Sequence, residues 1–175
     1  MNHTGKIGKA ARAVLGIAVL LSSGVVLADD NLVRFEGGIG VNPVSSVVGI
    51  AATGDANRNV VRGVLPGGQP WVISRLNVDV KENGRIRAKG EGLLLGGGNN
   101  IGRNGGASVF ATLFCDNLPG IEHSSTLAGV PLEPNGDFRI NDVLSPLPPG
   151  VCTNAVLLIR TSNGGRWFAA GIPKD

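Results

Sequence analysis

The chain has 175 residues, with 16 Lys and Arg against 13 Asp and Glu, 28 glycines, ten prolines, two cysteines and no tyrosine. That length suits one domain with a real apolar core. The formal charge of +3 would raise nucleic acid or an anionic membrane as a partner, but the three cations that make the excess, Lys6, Lys9 and Arg12, sit in an N-terminal leader. Without them thirteen charges of each sign remain, and nucleic-acid binding is not expected.

The leader has the layout of a secretory signal: a basic start, an apolar run within Ala13 to Leu27, and small residues at Val26-Leu27-Ala28 before Asp29-Asp30. Fifteen helical residues span only ~22 Å, short of the ~30 Å hydrocarbon core that a membrane anchor must cross. Residues 1–28 are therefore expected to be cleaved after Ala28, leaving a single domain over residues 29–175. The n-region lacks an Arg-Arg pair, which favours the general secretory route, and no cysteine near residue 28 offers a lipid acceptor. A secreted or periplasmic protein with no transmembrane anchor after cleavage follows, and the form of the leader fits a bacterial protein better than a eukaryotic one.

Downstream the dominant apolar period is two, not 3.6, which predicts strands. Leu32 to Phe35 and Asn59 to Leu65 read as the first two. Trp71 follows Pro66-Gly67-Gly68-Gln69-Pro70 and is expected to be partly exposed. Leu76 to Lys81 and Arg85 to Gly90 then form a hairpin. A two-residue Asn83-Gly84 loop would mix core and solvent on one face, whereas a three-residue loop from Glu82 to Gly84 pairs Val80 with Ile86, Val78 with Ala88 and Asp79 with Arg87, with Gly84 at positive φ.

The stretch from Gly96 to Gly106 invites comparison with phosphate-cradling loops, but it lacks the Lys-Ser/Thr ending and no helix follows. It reads as a turning connection and, as the longest candidate recognition loop, nominates Gly98, Asn99, Asn100 and Arg103, with Trp71, as ligand-binding residues. Val109 to Phe114 and Ala155 to Ile159 are apolar on both alternating sets, as expected of central strands. Between them, Pro134-Asn135-Gly136 predicts a second hairpin, Leu132 facing Phe138 and Val130 facing Ile140, with Pro131 marking an edge strand. Ser162-Asn163-Gly164 predicts a third, Ile159 facing Trp167 and Leu157 facing Ala169. The recurrence of Asn-Gly hairpins at an offset of 52 residues, each followed by an apolar strand, suggests an internal duplication.

Together these elements predict an all-β fold, a single antiparallel β-sandwich of about eight strands with an immunoglobulin-like or other Greek-key path, with a closed β-barrel as the alternative. Cys115 ends one central strand and Cys152 precedes the other, so a disulfide between them is expected in an oxidising compartment.

No catalytic motif stands out. Asp116, Glu122 and His123 are weak candidates for a metal site, because one histidine and two carboxylates without motif spacing carry little information. A serine triad using His123 with Ser124 or Ser125 has no Gly-x-Ser-x-Gly elbow to support it. Arg85, Arg87 and Lys89 share one face of the first hairpin, where an acidic polysaccharide or a lipopolysaccharide phosphate would fit. The function expected is a secreted or envelope-associated binding or structural module, without cofactor, whose partner is an envelope glycan or protein. The alternative is a small secreted hydrolase or metal-binding protein using His123 with Asp116, Glu122 or Asp142.

Overall fold

The structure is a computed structural model that describes residue 1 and residues 30–43, 59–116 and 120–174; the leader and its cleavage position at Ala28 lie outside them. Among the described residues every regular element is a strand, as the two-residue period requires.

The chain order is β1 (Asn31–Gly40), β2 (Trp71–Val72), β3 (Arg75–Lys81), β4 (Arg85–Glu91), β5 (Leu94–Leu95), β6 (Ser108–Phe114), β7 (His123–Ser124), β8 (Val130–Pro131), β9 (Phe138–Val143), β10 (Val156–Thr161) and β11 (Trp167–Pro173). One antiparallel sheet runs β7-β6-β10-β11-β1-β3-β4-β9, with β8 also on β6, while β2 and β5 make a separate pair. The sheet curls until its edges meet. Ser124 in β7 exchanges two backbone hydrogen bonds, 3.0 and 2.8 Å, with Ser145 just beyond β9, so the all-β domain is a nearly closed, barrel-like structure. This bridge, with the Thr126–Asp142 bond, draws the two edges together and shortens the run of backbone groups they would offer to another chain.

The sequence dictates the best-formed part directly. In β3 and β4 strict alternation buries Leu76, Val78, Val80, Ile86 and Ala88 and exposes the charged set between them. The register is the expected one: Val80 opposite Ile86, Val78 opposite Ala88, Asp79 opposite Arg87. Gly84 takes φ +76° and its amide donates to the Lys81 carbonyl at 2.9 Å, closing the three-residue loop. β6 and β10 pair directly, Leu157 with Leu113 and Ile159 with Ala111, and are buried along most of both faces. That pairing brings Cys115 and Cys152 to a Cα–Cα distance of 4.8 Å, and the disulfide joins them.

Three expected local structures differ. Asn59 to Leu65 is not a strand: Val61 and Val64 bond reciprocally across Arg62 (φ +52°) and Gly63 (φ +81°), a two-residue turn that the β-branched run around it conceals. At Pro134-Asn135-Gly136 the turn forms, with Gly136 donating to Glu133, but β8 ladders onto β6 instead of β9, so Leu132–Phe138 and Val130–Ile140 are not a register pair. β9 lies on β4 instead, where the Phe138 ring covers Gly90, its cross-strand partner. In the third hairpin the loop is four residues, Ser162 to Gly165, because Gly164 and Gly165 both take positive φ. A bulge follows, and the pairs are Arg160–Trp167 and Ile159–Ala169.

Two predictions follow from this architecture. The disulfide closes a 37-residue separation, which in the chain-entropy model stabilises the fold by ~4 kcal/mol; a C115A/C152A protein should lose stability of that order in urea titration, and insensitivity to the change would show that the crosslink is idle. At Gly90 any Cβ would enter the Phe138 ring, so Gly90→Ala should cost ~1–3 kcal/mol by overpacking, measured in the same way.

Candidate functional site

A concavity of about 680 Å³ opens at one end of the barrel. One wall is the Gly67-Gly68-Gln69 turn, another is Asn100 with Gly105 and Gly106 of the glycine-rich loop, and the third is the β10–β11 loop with Ser162, Asn163, Gly164 and Arg166. Its floor is an aromatic pair: Trp71 stacks on Phe168 with ring centroids 4.0 Å apart and planes 13° from parallel. Both rings are buried, so Trp71 is not the partly exposed residue expected from its proline- and glycine-rich approach; β2 holds it against β5, with Trp71 opposite Leu95. Little of either ring is exposed to the cleft they line. A Cβ at Gly67 would stand 3.0 Å from the Phe168 ring and 3.3 Å from Trp71 Nε1, so this glycine keeps the aromatic floor uncovered.

The glycine-rich loop is a tied structure. Leu95 donates to the Arg103 carbonyl and Gly102 to the Leu95 carbonyl (2.9 and 2.8 Å), Gly96 donates to Pro70, and the Asn104 carboxamide donates to the Leu132 and Glu133 carbonyls at 3.0 Å each. Asn104 thereby anchors the loop to the β8–β9 turn. Of the residues nominated in the loop, Asn100 lines the cleft, whereas Gly98 packs against Gln69 behind the wall. Asn99 is exposed outside the lining, and Arg103 faces a shallower depression beside Asn104 and Pro134.

Several polar groups around the cleft lack internal partners. The backbone amides of Gly68, Gln69, Gly105 and Gly164 have no acceptor among the described residues, whereas the neighbouring amides of Gly67, Gly106, Ser162, Asn163 and Gly165 each have one. Trp71 Nε1 likewise has none, in contrast to Trp167, whose Nε1 donates to the Asn59 carbonyl at 3.0 Å. The residues lining the cleft thus carry amides without an internal acceptor, the carboxamides of Gln69, Asn100 and Asn163, hydroxyls and the Arg166 guanidinium.

Arg160 positions that wall. It is the single charge in an apolar strand, and its side chain is 12% exposed. Nε donates to the Gly165 carbonyl (2.7 Å), Nη1 to Glu122 (2.7 Å) and Thr112 Oγ1 (3.3 Å), and the guanidinium lies over the Phe110 ring at 5.2 Å. The interrupted apolar run was the available sequence signal for this residue.

Asp116, Glu122 and His123 are not brought together. Asp116 accepts the Thr153 hydroxyl, Glu122 is paired with Arg160, and buried His123 donates from Nδ1 to the Pro146 carbonyl at 2.8 Å. Ser124 and Thr112 share a hydroxyl hydrogen bond of 2.9 Å, and Ser125 Oγ accepts the Ala111 amide. Among the described residues no three His, Cys, Asp or Glu side chains gather as metal ligands would. Asp142 holds the barrel seam: Oδ2 accepts the Thr126 amide at 2.7 Å and Oδ1 the Val143 amide at 2.8 Å. The Thr126 amide, more than any other group, holds its carboxyl below the ordinary Asp range, against an opposing push from burial.

On the outer surface of β3, β4 and β9, the rows across the strands read Asn77–Lys89–Arg139 and Asp79–Arg87–Asn141, with Arg85 opposite Val143. Asp79 faces Arg87 in register but pairs with Arg34 of β1, Nε to Oδ1 3.1 Å. Lys89 and Arg75 share Glu91, Lys81 pairs with Asp30, and Lys174 with Glu36.

No family model, no curated protein and no solved structure matches the chain at a significant level.

The Asp142 clamp carries a sign. Because its carboxyl is depressed in the folded protein, its contribution is present above the unfolded Asp value and is lost as pH falls through the folded one. Asp142→Asn should flatten the acid limb of the stability–pH curve and lower stability near pH 7 by about 1 kcal/mol; an unchanged acid limb would show that the seam does not rely on this charge.

Proposed function

We propose that the protein is a non-enzymatic binding module that works outside the cytoplasm, secreted or in the cell envelope, and takes a glycan in the cleft between the glycine-rich loop and the β10–β11 loop. The observation that carries this reading is the set of unmatched amide donors on a cleft already rich in carboxamides and hydroxyls. Such a wall suits a ligand covered in oxygens that both accept and donate, and the Trp71–Phe168 pair beneath gives the cleft an apolar base. Amides, hydroxyls and a guanidinium bind without exchanging protons at neutral pH, which supports recognition over hydrolysis. The secretory form of the leader, the disulfide and the tying of His123, Asp116 and Glu122 into separate structural bonds support the same reading.

The test is a glycan array probed with protein purified from the medium or periplasm, followed by titration of retained oligosaccharides against tryptophan emission. The expected result is saturable binding that perturbs emission and weakens about tenfold in an N100A/N163A variant, the loss of roughly one to two neutral hydrogen bonds. An array with no retained glycan, or a variant with wild-type affinity, would overturn the assignment.

A further inference from the structure

A second surface points to a different ligand chemistry and does not depend on the cleft. Arg85, Arg87 and Arg139 are exposed and have no carboxylate partner among the described residues, although the other cations of this face, from Arg34 to Lys174, all do. Exposed pairs are individually weak, so pairing by itself means little. The arrangement is what distinguishes the three. Arg85 and Arg87 are two residues apart on β4 and therefore project from the same face ~7 Å apart. Arg139 on β9 is the register partner of Lys89 and so the diagonal neighbour of Arg87, whose direct partner is Asn141, at ~7–8 Å. Asp79, the one carboxylate set opposite Arg87, is turned to Arg34 on its other side.

Two adjoining depressions of about 370 and 260 Å³ share Arg87 and Asp79, so a continuous shallow groove runs from Arg139 to Arg85. Asn77 and Asn141 stand on its walls as neutral hydrogen-bonding groups. We infer that this groove binds a linear acidic polysaccharide, with the guanidinium groups of Arg85, Arg87 and Arg139 taking its carboxylate or sulfate groups and the two asparagines its hydroxyls. Arginine's planar fork matches both anions. A polysaccharide is favoured over single-stranded nucleic acid because the groove has no aromatic side chain on which bases would stack.

The test uses the full exported protein with two probes, polygalacturonate for carboxylate and dextran sulfate for sulfate, by calorimetry at 50 and 300 mM NaCl. Saturable binding of at least one probe is expected, weakened severalfold or more at the higher salt. An R87Q/R139Q variant should lose about tenfold in affinity, while an R62Q/R103Q variant, with the same loss of charge away from the groove, should bind within twofold of wild type. The N100A/N163A cleft variant should also bind within twofold, which separates failure here from failure of the cleft assignment. Equal weakening by both arginine pairs would reduce the effect to net charge and overturn the site. Absence of binding to both probes, or tighter binding of single-stranded DNA than of either, would overturn the ligand class. Arg62 is half-buried and the other substituted positions are exposed, and thermal unfolding of each variant confirms that the comparison is between folded proteins.

Discussion

The structure depends on β1 lying between β3 and β11. This strand pairs with β3 along Val33 to Glu36 and with β11 along Gly38 to Gly40, so one ten-residue segment joins the first hairpin to the C-terminal strand. Without it the ladder breaks between β3 and β11, and β3-β4-β9 would be held to β7-β6-β10-β11 through the short Ser124–Ser145 seam. The register shift between Phe35 and Gly38 lets the strand serve both neighbours, and Phe35, 2% exposed, fills the interior at that point. Gly38 and Gly171 make this possible sterically, since a Cβ on either would press on Leu76 or on Phe35. A contact between residues so distant in sequence is costly in loop entropy, and the 37-residue disulfide shortens the effective chain on the β6–β10 side of the same assembly.

Closure also sorts the surfaces. β6 and β10 are buried on both faces and have few side chains to offer a partner, whereas β3, β4 and β9 keep a regular solvent face that gathers charge. Loops at the cleft end carry a different character, rich in glycine and carboxamides with Arg103 and Arg166 as their charges. Arg160 links the two-sided core to that end by holding the Gly165 carbonyl from beneath, so the wall of the cleft is fixed by the rigid part of the barrel. Loops supported this way bind with less ordering cost than free ones.

What could be read from sequence was whatever local geometry fixes. The β3–β4 register followed from alternation and one glycine, and the central placement of β6 and β10, with their cysteines, followed from apolar runs on both faces. What could not be read was the choice of partner. The β8–β9 turn has hairpin chemistry, yet β8 pairs with β6 while β9 joins β4, a competition decided by strands roughly twenty and fifty residues away. Asn59 to Leu65 failed for the converse reason, because β-branched residues around Arg62 and Gly63 resemble a strand until the turn is seen. The candidate site was half legible. Trp71 and Asn100 line the cleft, but Gln69, Asn163 and Arg166 are unremarkable in sequence and meet only through the fold.

The glycines of the Gly96–Gly106 loop also bear on why it can form a wall at all. Eleven residues of this composition should be costly to order, since glycine loses more backbone freedom than any other residue. The loop offsets that cost by anchoring at several points, to Leu95, to Pro70 and through Asn104 to the β8–β9 turn. Asn104 therefore matters to the cleft although it does not line it, because it couples the loop to the strand that closes on β6. Barrel closure and the shape of the cleft are in this sense one constraint, expressed at the seam by Asp142 and at the mouth by Asn104 and Arg160.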